Sequence, residues 1–269
     1  MVLGGVTVYP ALRVLWLSLE RRVPVFSVEE FVGLANYRFL ATDPAFWNAV
    51  RVTLVFTVVS VTIEVLLGLG LAVALRRVTR RRALAIGLLL LPWCLPGVVT
   101  ARTFEWLFHP TAGLVNLVLR RPINWLGDPH LALAAIITAD VWRAMPFAAL
   151  LCYARLLTIP TEVYEAAGVD GAGPLTTFRA ITLPLLAPVL LVATLFRTLD
   201  ALRAFDVMFV LTGGGPANTT ETLTLYAYRS LFQALQLGFG AAVATIVFVA
   251  VAGTAWAYLA GLERAEARA

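Results

Sequence analysis

One polar stretch interrupts an otherwise apolar chain: residues 162–184 read EVYEAAGVDGAGPLTTFRAITLP. Thr161 can cap a short helix there with its hydroxyl, and the acidic Glu162 suits the positive end of the helix dipole. Gly171 follows an aspartate, a pair that breaks helices, and glycine takes a positive φ without strain. Pro174 suits the first position of a second helix. The stretch therefore predicts two short helices joined by a rigid corner.

The composition of the chain predicts a membrane protein. Of its 269 residues, 60% are hydrophobic and 14% are charged, and the mean hydropathy is +0.85. Soluble domains carry roughly 25% charged residues. The net charge of +5 comes from arginines that cluster at the ends of apolar segments, which fits membrane topology better than a nucleic-acid surface. Cys94 and Cys152 lie in apolar segments without the spacing of a metal site or a disulfide framework.

Six apolar segments alternate with polar loops, and the crossing of a bilayer needs about 20 apolar residues. The predicted spans are residues 1–19, 53–75, 83–108, 131–156, 183–211 and 238–262. At ~1.5 Å per residue the first segment barely crosses the membrane. A secretory signal is the competing interpretation of it, although a basic start and a cleavage pattern are missing. Pro92 and Pro96 predict that the third span is kinked or broken.

The charge pattern predicts the orientation of these spans. Residues 76–82 read RRVTRRR, the densest basic run in the chain, and the positive-inside rule places such a run in the cytoplasm. Six spans then put both termini in the cytoplasm, together with the loop at residues 160–184. With no short repeat and no linker, we expect an all-α fold, in which residues 1–269 form a single transmembrane domain.

The polar stretch resembles the EAA loop of the membrane subunits of bacterial ABC importers. Glu165-Ala166-Ala167 is followed after three residues by Gly171, and after nine more by Ile181-Thr182-Leu183-Pro184. The likeness extends over Val141–Phe147 and Phe196–Pro216, and it is to the permeases of sugar importers of the maltose, glycerol-phosphate and trehalose type. In this family the first helix usually begins earlier, so we expect the N-terminus of this chain to be clipped or mis-started.

The resemblance implies a permease subunit of an ATP-driven, binding-protein-dependent importer of a sugar such as trehalose, in the bacterial cell membrane. It implies four partner subunits or proteins: a second permease subunit, two ABC ATPase subunits and an extracytoplasmic solute-binding protein. ATP and Mg belong to the ATPases, so this chain is expected to hold no cofactor and no metal and to catalyse no reaction. The residues implied in coupling to the ATPase are Glu165, Ala166, Ala167, Asp170 and Gly171.

Charged residues inside the predicted spans form the second candidate site. Charges at membrane depth are costly and mark pathways or internal partners. Two functions stay open for them: they contact sugar hydroxyls in a polar cavity, or they form ion pairs that fasten helices together. A tryptophan among them could stack on a sugar ring or anchor at the membrane interface. The candidates are Arg197, Asp200, Arg203 and Asp206, which recur every three residues, together with Asp140, Trp142, Arg143 and Glu64.

The chain contains no lysine, so it cannot form the phosphate-binding loop of an ATPase, which needs one. Two other classes of function remain as alternatives. An ion-coupled secondary transporter could also use arginine and aspartate within the membrane. A membrane scaffold without transport activity would leave the buried charges with structural roles alone.

Overall fold

The computed structural model describes residues 2–78 and 80–266 of the chain. Met1, Thr79 and residues 267–269, which the predicted domain includes, lie outside this description. Helices dominate the described residues. They are α1 Val2–Leu17, α2 Ala35–Thr42, α3 Pro44–Arg77, α4 Arg82–Cys94, α5 Gly97–Leu107, α6 Leu114–Leu119, α7 Ala132–Leu157, α8 Thr161–Val169, α9 Pro174–Thr177, α10 Leu183–Leu202, α11 Asp206–Leu211, α12 Leu223–Tyr228 and α13 Leu237–Glu266. Short π-helical segments at 178–182 and 229–233 follow α9 and α12.

A small β-hairpin corrects the expectation of a purely helical fold. Strands β1 Glu20–Val23 and β2 Val28–Phe31 pair antiparallel around a 3₁₀ turn. Arg22 lies opposite Glu29, and their side chains form an ion pair of 2.7 Å. The hairpin occupies a polar loop of the sequence, where oppositely charged residues across the strands stabilise the pairing.

Four of the described helices are long and apolar enough to cross a membrane: α3, α7, the continuous helix Pro174–Leu202 and residues Leu237–Gly261. A fifth crossing results if α4 and α5, which meet at an angle of 95°, form one span. Leu95 is extended at this break, as expected for the residue before a proline, so the predicted interruption of the third span is confirmed. The apolar part of α1 is shorter, Val8–Leu17.

The prediction of one helical span over residues 183–211 is wrong. The helix ends at Leu202, and α11 begins separately at Asp206. The backbone carbonyl of Ala204 accepts hydrogen bonds from the hydroxyls of Thr222 and Thr224, at 3.4 and 2.6 Å. Hydrogen bonds from distant residues therefore satisfy a carbonyl that would accept an intrahelical N–H in a longer helix.

The chain divides into two compact units. The first is Met1–Thr57, Ala101–Ile136 and Leu199–Ala269, and the second is Val58–Thr100 and Ile137–Thr198. In the first unit, the core includes Leu40, Phe46, Leu223 and Val243. There the hydroxyl of Tyr226 donates a hydrogen bond to Asp43, and burial, followed by this bond, raises the pKa of Tyr226 above its ordinary value.

The core of the second unit joins the ends of α3 and α7 to the start of α10. It contains Leu69, Ala72, Cys152, Leu156 and Leu186. The two long helices approach closely: a Cβ on Gly68 would lie 2.8 Å from the Cβ of Ala148. Small residues at such a crossing are typical of helices that pack within membranes. One turn before this contact, α3 carries Glu64.

Candidate functional site

The polar stretch forms the first short helix, α8, and the corner that the sequence predicts. The prediction of a second short helix is wrong, because α9 continues through the π-helical segment into α10 as one helix, Pro174–Leu202. α8 begins at Thr161, with Pro160 in the capping position and no capping bond from a side chain. The predicted cap by Thr161 is therefore wrong, because the extended backbone of Pro160 ends the preceding segment and leaves Thr161 as the first helical residue. Glu162 does lie in the first turn, as predicted.

The corner after α8 depends on Gly171. Its φ of +72° is in the left-handed region, as predicted. The N–H of the next residue, Ala172, donates to the carbonyl of Ala167 at 2.9 Å, which closes the end of α8. Gly173 then takes an extended conformation and Pro174 lies in the first turn of α9. The local backbone is thus fixed on both sides of the corner.

The two faces of α8 differ in exposure. Ala167 is buried, at 6% exposure, and Tyr164 packs against the core of the second unit. Glu165 and Ala166 are exposed, and Val169 is 89% exposed. Asp170 and Gly171 are exposed as well. The predicted coupling residues therefore lie on the outer surface of this segment, except for Ala167.

Three helices of the second unit bring charged side chains together in the interior. Arg197 of α10 donates from Nε and Nη2 to the two carboxylate oxygens of Glu64 on α3, at 2.5 and 3.0 Å. Its Nη2 also donates to Oδ2 of Asp140 on α7, at 3.0 Å. Arg143, one turn further along α7, donates to Oδ1 of Asp140 at 3.0 Å. We call these four residues the charge network.

The members of the charge network differ in their exposure to solvent. The side chains of Glu64, Asp140 and Arg197 are 0–4% exposed. Arg143 is 26% exposed, and its neighbour Trp142 is 37% exposed. Within the part of the chain that the structure describes, the Nε of Arg143 is buried without a hydrogen-bond partner. Two carboxylates face two guanidinium groups, so the formal charges cancel, as interiors of low polarity require.

Of the row of four charges along the fifth predicted span, Arg197 belongs to the charge network, and the other three lie in the first unit. Asp200 and Arg203 form an ion pair of 2.9 Å in the first unit, where their side chains are 57% and 59% exposed. Asp206 is exposed in the first turn of α11. Because the helix ends at Leu202, the three-residue spacing does not continue along one helix face.

Two contacts of the second unit were not predicted from the sequence. Gly68 allows the close approach of α3 to α7, and the signal for it was a glycine in one span facing adjacent alanines in another. Arg76 stacks its guanidinium over the ring of Tyr164, 3.9 Å from the centroid. The sequence marked Arg76 only as part of a basic run, and no local pattern indicates the aromatic partner.

Residues 65–261 match the family described as "Binding-protein-dependent transport system inner membrane component". The chain belongs to this family. Members are permease subunits, which do not catalyse ATP hydrolysis, so the absence of an ATPase motif agrees with the function of the family. The chain is a transmembrane permease subunit of an ABC transporter.

Several curated proteins are similar to this chain. It is 41% identical over 256 residues to the trehalose/maltose transport system permease protein MalF of Thermococcus litoralis, covering 94% of this chain and 86% of that protein. It is 39% identical to the sulfoquinovosyl glycerol transport system permease protein SmoG of Agrobacterium fabrum, with coverage of 92% and 82%. The trehalose transport system permease protein SugA of Mycobacterium tuberculosis is 36% identical, with coverage of 96% and 84%.

Solved structures show the same fold. A chain of a bacterial ABC transporter involved in the import of the acidic polysaccharide alginate superposes with a TM-score of 0.83 at 20% identity, covering 98% of this chain and 92% of that one. A chain of the MetNI methionine ABC transporter gives a TM-score of 0.56 at 20% identity, with coverage of 83% and 96%. At this identity the likeness concerns the fold alone, which is that of an ABC transporter permease.

Proposed function

We propose that this chain is one permease subunit of an ATP-driven importer of a sugar, and that α8 and the corner at Gly171 couple it to an ATPase. The observation that carries this proposal is the exposed face of α8 within a segment whose two ends are held by α7 and by the helix Pro174–Leu202. Membership of a binding-protein-dependent family and the sugars in the names of its relatives support the substrate class.

The coupling surface is built for contact with another protein. Glu165 supplies a charge, Ala166 permits close approach of a partner's backbone, and Val169 supplies exposed apolar area. A basic residue of a partner pairs with such a carboxylate, and charge pairs of this kind set orientation and specificity. Ala167 faces the interior and fixes the helix on its own subunit. Ala167 thus attaches α8 to its own subunit, whereas Glu165, Ala166 and Val169 form the surface that a partner protein contacts.

The proposed assembly contains a second permease subunit, two ABC ATPase subunits that bind ATP and Mg, and an extracytoplasmic solute-binding protein. Residues 1–269 act as one transmembrane domain of six spans in the cell membrane, with both termini and residues 160–184 in the cytoplasm. The arginines at the C-terminal end of α3 support this orientation, because positive charge is retained on the cytoplasmic side.

For the sugar pathway, we assign different roles to the buried and the accessible charges. Glu64, Asp140 and Arg197 are enclosed and use their polar atoms on one another, so they brace α3, α7 and α10. Arg143 and Trp142 reach the surface beside them and have the chemistry to donate to hydroxyls and to stack on a sugar ring. Arg203, with Asp200 and Asp206, is exposed and contributes a further polar surface.

Transport in vesicles tests this function. The complex that co-purifies with the chain is reconstituted, and uptake of labelled trehalose, maltose and sulfoquinovosyl glycerol is compared in the presence of its binding protein. We expect uptake only with ATP on the side of the ATPases, and no uptake with a proton or sodium gradient alone. Uptake that an ion gradient drives without ATP would instead identify a secondary transporter.

A further inference from the structure

A cavity of about 530 Å³ lies within the second unit, beside α8. Its wall is apolar where Val73, Leu156 and Phe178 face it, and basic where Arg76 and Arg77 face it. The described side chains that line it include no aspartate or glutamate. The cavity therefore combines apolar and positively charged lining residues.

The two arginines are held differently. The guanidinium of Arg76 lies 3.9 Å from the ring centroid of Tyr164, which orients it without neutralising its charge. Arg77 is exposed. Among the described side chains, no carboxylate lies within 4.0 Å of either guanidinium. Both charges are thus available to an anion that enters the cavity.

The position of the cavity indicates what surrounds it. Two candidate membrane-crossing helices, α3 and α7, end at its wall, and a third begins there at Pro174. Arginines at such helix ends lie at the level of the lipid headgroups, with their apolar stems toward the hydrocarbon. We therefore expect the cavity, which these arginines line, to lie at the depth of the lipid headgroups.

We propose that the cavity binds one anionic phospholipid, with the phosphate at Arg76 and Arg77 and the acyl chain along Val73, Leu156 and Phe178. Arginine recognises phosphate oxygens through paired N–H donors. The apolar lining distinguishes a lipid from free phosphate, which has no apolar group to place against it. Because Tyr164 of α8 forms part of the wall, the bound lipid contacts the same helix that exposes Glu165 to solvent. This site is separate from the proposed coupling surface and does not depend on it.

Lipid retention tests the proposal. The purified transporter complex is titrated with phosphatidylglycerol and with phosphatidylcholine in detergent, and bound lipid is counted by native mass spectrometry. We expect each copy of this chain to bind one phosphatidylglycerol with high affinity and to bind no phosphatidylcholine at the same lipid concentration. For Arg76→Gln/Arg77→Gln we expect binding about 30-fold weaker, since two basic groups each contribute about a factor of five near anionic lipid.

A matched control comes from the same basic run. Arg80→Gln/Arg81→Gln removes two charges that do not line the cavity, and we expect less than a threefold change. Ala172→Phe fills the cavity while both arginines remain, and we expect it to displace the lipid, which keeps the test valid if the arginine variant does not insert.

Three outcomes would overturn the proposal. Equal losses in the two double-arginine variants would show unspecific attraction to the basic run. Inorganic phosphate that binds as tightly as phosphatidylglycerol would show a phosphate site to which the acyl chain contributes nothing. Loss of the lipid whenever the ATPase binds would show that a partner protein occupies the cavity.

Discussion

Two glutamates of the second unit show how one residue type takes opposite roles. Glu64 has 0% exposure and accepts two hydrogen bonds from Arg197. Glu165 is exposed on α8, and among the described residues it has no ion pair. A carboxylate in an apolar interior needs a fixed partner to offset the loss of water, whereas an exposed carboxylate is solvated already. Glu64 is therefore held in the interior by its ion pair with Arg197, whereas the side chain of Glu165 is exposed, as the proposed contact with another protein requires.

The same contrast extends to the backbone around each site. α3 and α7 touch at Gly68, where side-chain volume is excluded by the neighbouring helix. At Gly171 a Cβ atom would have no other atom within 4 Å. Larger residues are disfavoured there only because the backbone has a φ of +72°. One glycine is required by packing and the other by conformation. Variants at Arg197, the partner of Glu64, and at Gly68, Gly171 and Glu165 give effects of decreasing size if the comparison holds.

The largest effect is expected from Arg197→Met. It leaves Glu64 and Asp140 buried without their shared partner, and breaking a buried pair in this way costs about 3–5 kcal/mol. Thermal unfolding of the purified complex in detergent should show a midpoint about 10 °C lower. The control is Arg203→Met, which removes a guanidinium that is 59% exposed, and little change is expected there. Equal midpoints for the two variants would mean that the charge network does not brace the helices.

A rescue variant separates lost charge pairing from lost packing. Adding Glu64→Gln and Asp140→Asn to Arg197→Met removes both orphaned carboxylates, and part of the lost stability should return. If the triple variant is less stable than Arg197→Met, the packing of the arginine stem matters more than its charge.

The second effect concerns the helix crossing. In Gly68→Ala the added methyl would lie 2.8 Å from the Cβ of Ala148 and 2.9 Å from the backbone N of Ala149, and overpacking of this kind costs about 1–3 kcal/mol. Gly70→Ala, on the same helix with nothing within 4 Å, should be neutral or slightly stabilising. Fluorescence-detected gel filtration after heating measures both variants. A stable Gly68→Ala would show that α3 and α7 separate easily.

The third effect is on coupling rather than on folding. Gly171→Val places a β-branched residue at a positive φ, which costs about 1–2 kcal/mol or more and lowers the population of the corner about 5- to 30-fold. Insertion should be normal, and ATP hydrolysis stimulated by the binding protein should fall. The matched control is Gly173→Val, where φ is −69°. If both valine variants retain stimulation, the corner does not set the position of α8.

The smallest effect is expected from Glu165→Lys. The reversed charge should weaken association with the ATPase about threefold to tenfold, as for a charge at the rim of an interface. The measurement is the affinity of the ATPase for the purified permease at low and at high salt, and the difference should shrink at high salt. Glu29→Lys reverses a charge on the β-hairpin, 64% exposed, and serves as the control. An unchanged affinity in Glu165→Lys would leave α8 without its proposed partner contact.

The sequence by itself determined the features that depend on neighbouring residues. The corner at Gly171, the start of α9 at Pro174 and the break before Pro96 were all predicted correctly. Their cause is local: proline and glycine restrict or release φ wherever they stand, whatever packs around them. The resemblance to the EAA loop was also visible in the sequence, because it rests on the residue types and spacing within residues 165–184.

Only the tertiary structure decided which charges are buried and where the helices end. Arg197 pairs with residues that are 133 and 57 positions away, and no sequence window contains such partners. The helix ends at Leu202, and just beyond it the carbonyl of Ala204 accepts hydrogen bonds from the hydroxyls of Thr222 and Thr224, about 20 residues further on. Hydrogen bonds and ion pairs in an apolar interior depend on which groups the fold brings together. The sequence therefore supplied the charged residues, and the packing of three helices decided which of them are buried together in the charge network.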